Sequence, residues 1–100
     1  TSLDDFTTYL KAEFLDAVYL QQNAFSEADA STPVARQREM FDVVEKALGQ
    51  TYKYKAKDEM RKFFMELQQA FIDWNDTDFK DARFASGKAA LLEKIARAAA

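Results

Sequence analysis

The chain of 100 residues has no cysteine and no histidine, and only two glycines and one proline. Lack of cysteine removes disulfides and thiol chemistry, and is what a chain made in a reducing compartment is expected to show. Lack of histidine excludes the usual zinc sites and histidine-based triads. Scarce glycine and proline, set beside 48% apolar and 14% aromatic residues, suit a packed helical protein and argue against disorder. An excess of positive charge is also missing. With 14 basic and 17 acidic residues the net charge is −3, so the chain as a whole lacks the electrostatic footprint of a nucleic-acid binder. No apolar stretch approaches the roughly 18 to 20 residues needed to cross a bilayer, and no charged-then-apolar leader opens the chain. The expectation is a soluble, cytosolic-facing protein without direct membrane insertion. A Gly-x-x-x-x-Gly-Lys-Ser/Thr phosphate loop, a Gly-x-Ser-x-Gly elbow and a Rossmann fingerprint are absent, which leaves no self-sufficient catalytic apparatus and no catalytic residue to nominate.

What is present is helical periodicity. The length suits one small domain over residues 1–100, and a second domain is not expected. Ser2 followed by Asp5 resembles a capping box, and Asp4 and Asp5 favour a helix N-terminus. The first helix is predicted to run to about Phe25, with Leu3, Phe6, Leu10, Phe14, Ala17, Val18 and Phe25 in one stripe roughly 120° wide. Gln21 falls in the middle of that stripe, so its amide needs a specific partner or a place at the end of the core. Leu15, Tyr19 and Gln22 point the other way, giving this helix a second face to cover. Ser26 to Thr32 reads as a polar loop, with Thr32 as N-cap and Pro33 as first residue of the second helix. That helix carries Val34, Gln37, Phe41, Val44 and Leu48 on one seam, and Gly49 is expected to supply a left-handed stop.

Tyr52, Tyr54 and Ala56 alternate with Lys53, Lys55 and Lys57, a period of two that reads as an extended connector, since no second strand signal exists to pair with it. The third helix places Met60, Phe63, Phe64, Leu67, Phe71 and Trp74 within an arc of about 100° and should form the centre of the core. An acidic loop from Asn75 to Asp78 ends it. Phe79 and Phe84 are expected to anchor an irregular or short helical segment. Ser86 would then cap a last helix bearing Leu91, Leu92 and Ile95, whose Ala98 to Ala100 tail frays. The expected fold is all-α, a small bundle of about four main helices with short connections between antiparallel neighbours and an extended Tyr/Lys connector.

Candidate chemistry is sparse. Asp4 with Asp5, and Asp73, Asp76, Asp78 and Asp81, are paired carboxylates without a companion histidine or glycine-rich loop, so they read as solvated helix ends rather than as a metal or acid/base site. The Lys53, Lys55, Lys57 ladder has the residue types of a nucleic-acid surface but stands alone in an acidic chain; a solvated edge with its tyrosines packed inward is the simpler reading. Phe25 lies on the core stripe and reads as a core anchor at the helix end. Tyr19 lies off that stripe beside Gln22, which suggests a contact surface for another domain or for a flat ring ligand. A chain that opens at Thr1 on a helix cap without Met also suggests an excised piece of something longer.

The run Tyr19-Leu20-Gln21-Gln22-Asn23-Ala24-Phe25, followed by Ser26-Glu27-Ala28-Asp29, resembles the C-terminal segment of the catalytic A subunit (alpha chain) of V-type and archaeal A-type rotary ATPases. The resemblance continues through Pro33, Arg36-Gln37-Arg38 and Phe41, then Lys57-Asp58-Glu59, Phe63-Phe64 and Phe71-Ile72-Asp73, and is to the bacterial branch of the family. Ser26 and Ala28 stand where many relatives have Asp and Val, Ser31 and Thr32 replace a frequent Tyr-Cys pair, and Tyr19 stands where others often have Phe. The resemblance implies a much longer subunit whose upstream β-barrel and nucleotide domains would hold ATP or ADP and Mg. It implies a helical domain that swings with nucleotide state and pushes on a central shaft, with Tyr19 and Phe25 near an adenine-facing edge and Gln21 to Asn23 supporting that helix end. Ser2, Leu3, Asp4 and Asp5 would form a shaft-facing turn. Implied partners are the upstream nucleotide domain, the B subunits of a hexameric head and the shaft subunits, in a cytoplasmic complex peripheral to the membrane. The alternative reading is a stand-alone helical adaptor that docks a partner helix through Leu15 and Tyr19.

Overall fold

A computed structural model describes residues 2–28, 33–78 and 80–100, with side chains over the same ranges except 21–28, 33 and 34. Four helices follow one another: α1 (Leu3–Ala28), α2 (Pro33–Gly49), α3 (Lys57–Asn75) and α4 (Ala82–Ala98). The bundle is elongated, 44 × 23 × 18 Å, and α1 alone, at 26 residues and about 1.5 Å per residue, runs nearly its full length. The expected all-α bundle is what forms.

The start of α1 is capped as its sequence requires, with the Ser2 hydroxyl accepting the Asp5 amide at 3.1 Å. Its expected stripe is the buried face: Leu10, Phe14 and Val18 are fully enclosed, and Phe6 packs against them half-buried. The helix continues without a break through Gln21 and Gln22 to Ala28, three residues beyond the expected end. The side chains of Gln21, Gln22, Asn23 and Phe25, and the Thr32 cap, lie outside the described residues. All six predicted core positions of α3 are buried, and Phe14 of α1 meets Phe64 and Phe71 edge-on at 6.4 and 5.9 Å.

Neighbours in space are not all neighbours in sequence. α1 packs on α3 and α2, and α4 packs on α3 and α2, so α2 and α3 stand diagonally opposed. Phe6 lies under Lys57 and Arg61 while Phe14 lies against Phe64 and Phe71, which makes α1 and α3 parallel. This corrects the expectation of antiparallel neighbours throughout. The extended connector is the reason: it carries the chain across the end of the bundle from α2 to α3 instead of turning it back. The connector also has a pairing partner after all. Tyr52 bridges Ala99, with the Lys53 amide donating to the Ala98 carbonyl at 2.9 Å and the Ala100 amide to Thr51 at 2.7 Å. The tail is therefore pinned rather than frayed, and Ala98 is buried.

Three further expectations are corrected. Phe41 is 48% exposed, and the buried face of α2 is Arg36, Met40, Val43, Val44 and Ala47, rotated by one residue from the predicted seam. Burial of Arg36 allows this rotation, because its guanidinium has carbonyls to bind. Gly49 is the last residue of α2 and has no positive φ. A left-handed stop is not needed there, since the Tyr52 hydroxyl donates to the Ala47 carbonyl at 2.5 Å and Lys11 to the Gln50 carbonyl at 2.8 Å. Lastly, α4 starts at Ala82, capped by Asp81, whose carboxylate accepts the Arg83 amide at 2.9 Å. Phe84 is thus a buried residue inside α4, and Ser86 is no cap but donates its hydroxyl to the Arg83 carbonyl. Phe79 lies outside the described residues.

Candidate functional site

The outward flank of α1 is where apolar surface is left over. Once Leu10, Phe14 and Val18 face inward, Leu15, Tyr19 and Leu20 are 41, 61 and 69% exposed, a concentration of large apolar groups that the core does not use. Tyr19 is therefore accessible, as its off-stripe position predicts. The proposed shaft-facing turn is accessible too: Ser2, Asp4 and Asp5 are exposed and Leu3 is half-buried. The structure does not bring the two sets together. From Asp4 to Tyr19 is about 22 Å along one uninterrupted helix at about 1.5 Å per residue.

Between them, Tyr9, Glu13, Arg61, Met65 and Gln68 line a shallow groove of about 170 Å³ where α1 meets α3. The Tyr9 hydroxyl donates to Glu13 at 2.8 Å, and this bond, reinforced by the carboxylate's charge, holds the phenol above its ordinary range.

The acidic residues behave as helix ends. Asp81 caps α4 and grips the Arg83 side chain at 2.7 Å, and those hydrogen bonds lower its carboxyl to about 2. Asp78 accepts the Lys80 amide, and Asp73 accepts from Gln69. Among the described residues no group of three or more acidic side chains could hold a metal ion, and no helix is long and apolar enough to cross a membrane. In the connector, Tyr52 is buried and Tyr54 half-buried, while Lys53, Lys55 and Lys57 stay outside, so the tyrosines do pack inward.

Sequence reasoning missed one buried polar cluster. Arg36, 3% exposed, donates to the backbone carbonyls of Asn75 and, at 3.1 Å, Thr77, and its guanidinium lies 5.1 Å from the centre of the Phe84 ring. A cation at the C-terminal end of α3 opposes the negative end of that helix dipole. The Asn75 side chain is fully buried, and its carboxamide has no hydrogen-bond partner among the described residues. The signal for Arg36 is its place one turn ahead of Met40 on the stripe Met40, Val43, Val44, Ala47.

Comparison with known proteins supplies the context. No family model matches the chain, and no solved structure matches it significantly. Among curated proteins, the V-type ATP synthase alpha chain of Treponema denticola is 39% identical over 99 residues, covering 99% of this chain and 17% of the relative. The V-type ATP synthase alpha chain 1 of Treponema pallidum is 47% identical over 75 residues, covering 75% of this chain and 13% of the relative. That of Borreliella burgdorferi is 44% identical over 94 residues, covering 94% and 16%. The chain thus spans less than a fifth of the length of the relatives it matches. With such identity along 75–99% of its residues, it belongs to the V-type ATP synthase alpha chain family, as a segment homologous to a small part of those subunits.

Proposed function

We propose that this chain is the C-terminal helical domain of the catalytic A subunit of a V/A-type rotary ATPase, a single mechanical domain over residues 1–100 that couples ATP hydrolysis or synthesis to rotation of a central shaft and so to ion transport. The observation that carries the reading is the open flank of α1. One face of the helix is locked into an aromatic core, while Leu15, Tyr19 and Leu20 face outward. Such a helix, backed by a close-packed interior, passes on a displacement rather than absorbing it. Tyr19 and Phe25 are assigned to the edge that approaches adenine, and Ser2, Leu3, Asp4 and Asp5 to the turn that meets the shaft. The upstream nucleotide domain and the B subunits of the head complete the surroundings, in a cytoplasmic complex peripheral to the membrane. The described residues do not fit Mg or a nucleotide phosphate: they offer no cluster of ligands and no phosphate loop, so ATP, ADP and Mg are assigned to the rest of the subunit and no chemical step is assigned here.

Titrating the isolated chain with MgATP should show no binding in the micromolar range, and micromolar affinity without an upstream domain overturns the assignment. In the assembled complex, Tyr19→Ala and Leu15→Asp should weaken coupling between nucleotide turnover and rotation while leaving the fold intact. The stand-alone adaptor reading draws on the same exposed Leu15 and Tyr19. It is separated by the reading frame: coding sequence for a phosphate loop upstream of Thr1 excludes it.

A further inference from the structure

We propose that the groove between α3, α4 and the connector is a docking site for an acidic peptide segment of a partner, one that carries a single aromatic or aliphatic anchor residue. At about 460 Å³ this groove is much larger than the one beside Tyr9, and it lies on α3 and α4 rather than on the flank of Leu15 and Tyr19. Its floor is aromatic. Tyr54 and Phe63 lie 5.5 Å apart with their planes 36° from parallel. Its rim carries three cations against two carboxylates, Glu66 and Glu93: the Lys53 ammonium lies 5.8 Å from the centre of the Tyr54 ring, the Lys94 ammonium 5.9 Å from that of Phe63, and Arg97 lies one turn further on.

The rim is poised to exchange partners. Lys94 pairs with Glu66 at 3.4 Å and Arg97 with Glu93 at 2.5 Å, both across exposed carboxylates, and Lys53 makes no ion pair among the described residues. Exposed pairs of this kind add little to stability, so a partner's carboxylates can take over these cations without unsettling the fold. The wider charge distribution points the same way. In a chain of net charge −3, the end of the bundle where α3 begins and α4 finishes carries Lys53, Lys55, Lys57, Arg61, Lys62, Lys94 and Arg97 against Asp4, Asp5, Asp58, Glu59, Glu66 and Glu93, while at the other Asp73, Asp76, Asp78 and Asp81 outnumber Lys80 and Arg83. This separation of sign steers an acidic partner toward the groove. A nucleic acid is the poorer occupant. Tyr52 is buried with its hydroxyl on Ala47, which leaves Tyr54 as the one partly exposed ring of the connector rather than the succession of platforms on which bases stack.

The test uses the full chain and a fluorescein-labelled peptide, Asp-Glu-Asp-Phe-Glu-Asp, followed by anisotropy. Saturable binding is expected, weakened about tenfold or more on raising the salt to roughly 0.5 M and by the pair Lys53→Gln with Lys94→Gln. Lys80→Gln, at the opposite end, should leave it unchanged. Replacing the peptide's phenylalanine with alanine should weaken it several-fold. A thermal melt verifies that each variant is folded, and Arg97→Gln serves as a second, independent rim variant. No saturable binding, equal binding of the peptide with all carboxylates turned to amides, indifference to the rim variants, or binding of single-stranded oligothymidylate with the same affinity and the same sensitivity would each overturn the proposal.

Discussion

Gly87 lies directly against Trp74: a β-carbon added at Gly87 would sit 2.6 Å from Cδ1 of the indole. The ring cannot move aside. Its N–H donates to the buried Phe84 carbonyl at 2.8 Å, and its face packs on the Phe84 ring at 4.7 Å. Two effects of Gly87→Ala therefore compete. Helix propensity favours alanine by about 1 kcal/mol, whereas overpacking a rigid core costs about 1 to 3 kcal/mol. Because the obstructing atom belongs to an anchored ring, overpacking should win, lowering Tm by several degrees in a thermal melt. An unchanged or raised Tm would show that α4 shifts outward at little cost.

Lys88 joins α4 to α2 by reaching Glu39 at 3.0 Å and Asp42 at 2.9 Å with a side chain only 19% exposed. Desolvation, the largest influence on this ammonium, works against its charge, but the two carboxylates together outweigh it and raise its pKa. Lys88→Gln should cost about 0.5 to 1 kcal/mol, and the deficit should shrink in high salt. Lys94→Gln, whose one pair with Glu66 is longer and more exposed, should cost less. Urea unfolding at two ionic strengths ranks the pair, and equal losses would refute a structural role for the double bridge.

Acid should act partly through Asp81. Hydrogen bonds from Arg83 hold its carboxyl at about 2, below the ordinary 3.8, so its contribution to stability is present above about pH 4 and is lost as pH falls toward 2. Asp81→Asn keeps a capping oxygen but removes the charge. The gap in Tm between wild type and variant should accordingly be constant near neutrality and close between pH 4 and pH 2. A gap that persists at pH 2 would exclude this carboxylate as its source.

The alkaline side has a counterpart in Tyr52. Burial raises its phenol above the ordinary 10, so folding favours the neutral form, and this contribution is complete below pH 10 and lost as pH rises beyond it. Tyr52→Phe removes the hydroxyl and leaves the Ala47 carbonyl without that donor, at a cost of about 1 to 2 kcal/mol near neutrality. The variant should also lose less stability than wild type on moving above pH 10, as read by circular dichroism.

Much of this was legible beforehand, and the pattern of what was not is physical. α3 could be read in full because its six apolar positions keep helical spacing and all meet the core. The stripe of α1 and the outward position of Leu15 and Tyr19 were legible for the same reason. α2 was misread because hydrophobicity favours burying Phe41 over Arg36, while the carbonyls that make Arg36 tolerable inside belong to α3 and the segment after it, far along the chain. The pinned tail was hidden because alanines carry no strand signal and their partner is a connector almost half the chain away. The groove of Lys53, Lys94 and Arg97 was invisible likewise, since it exists only where three segments meet.

The diagonal placement of α2 and α3 bears on how the chain assembles during synthesis. Until residues 82–98 have been made, α2 can lean only on α1 and, through Arg36, on the carbonyls at the end of α3, and Arg36 lacks the Phe84 ring that lies beneath its guanidinium. The bundle cannot close helix by helix in order of emergence; α4, made after the other three, is the one that locks the second into place, so disruption of α4 should strip two helices of support rather than one.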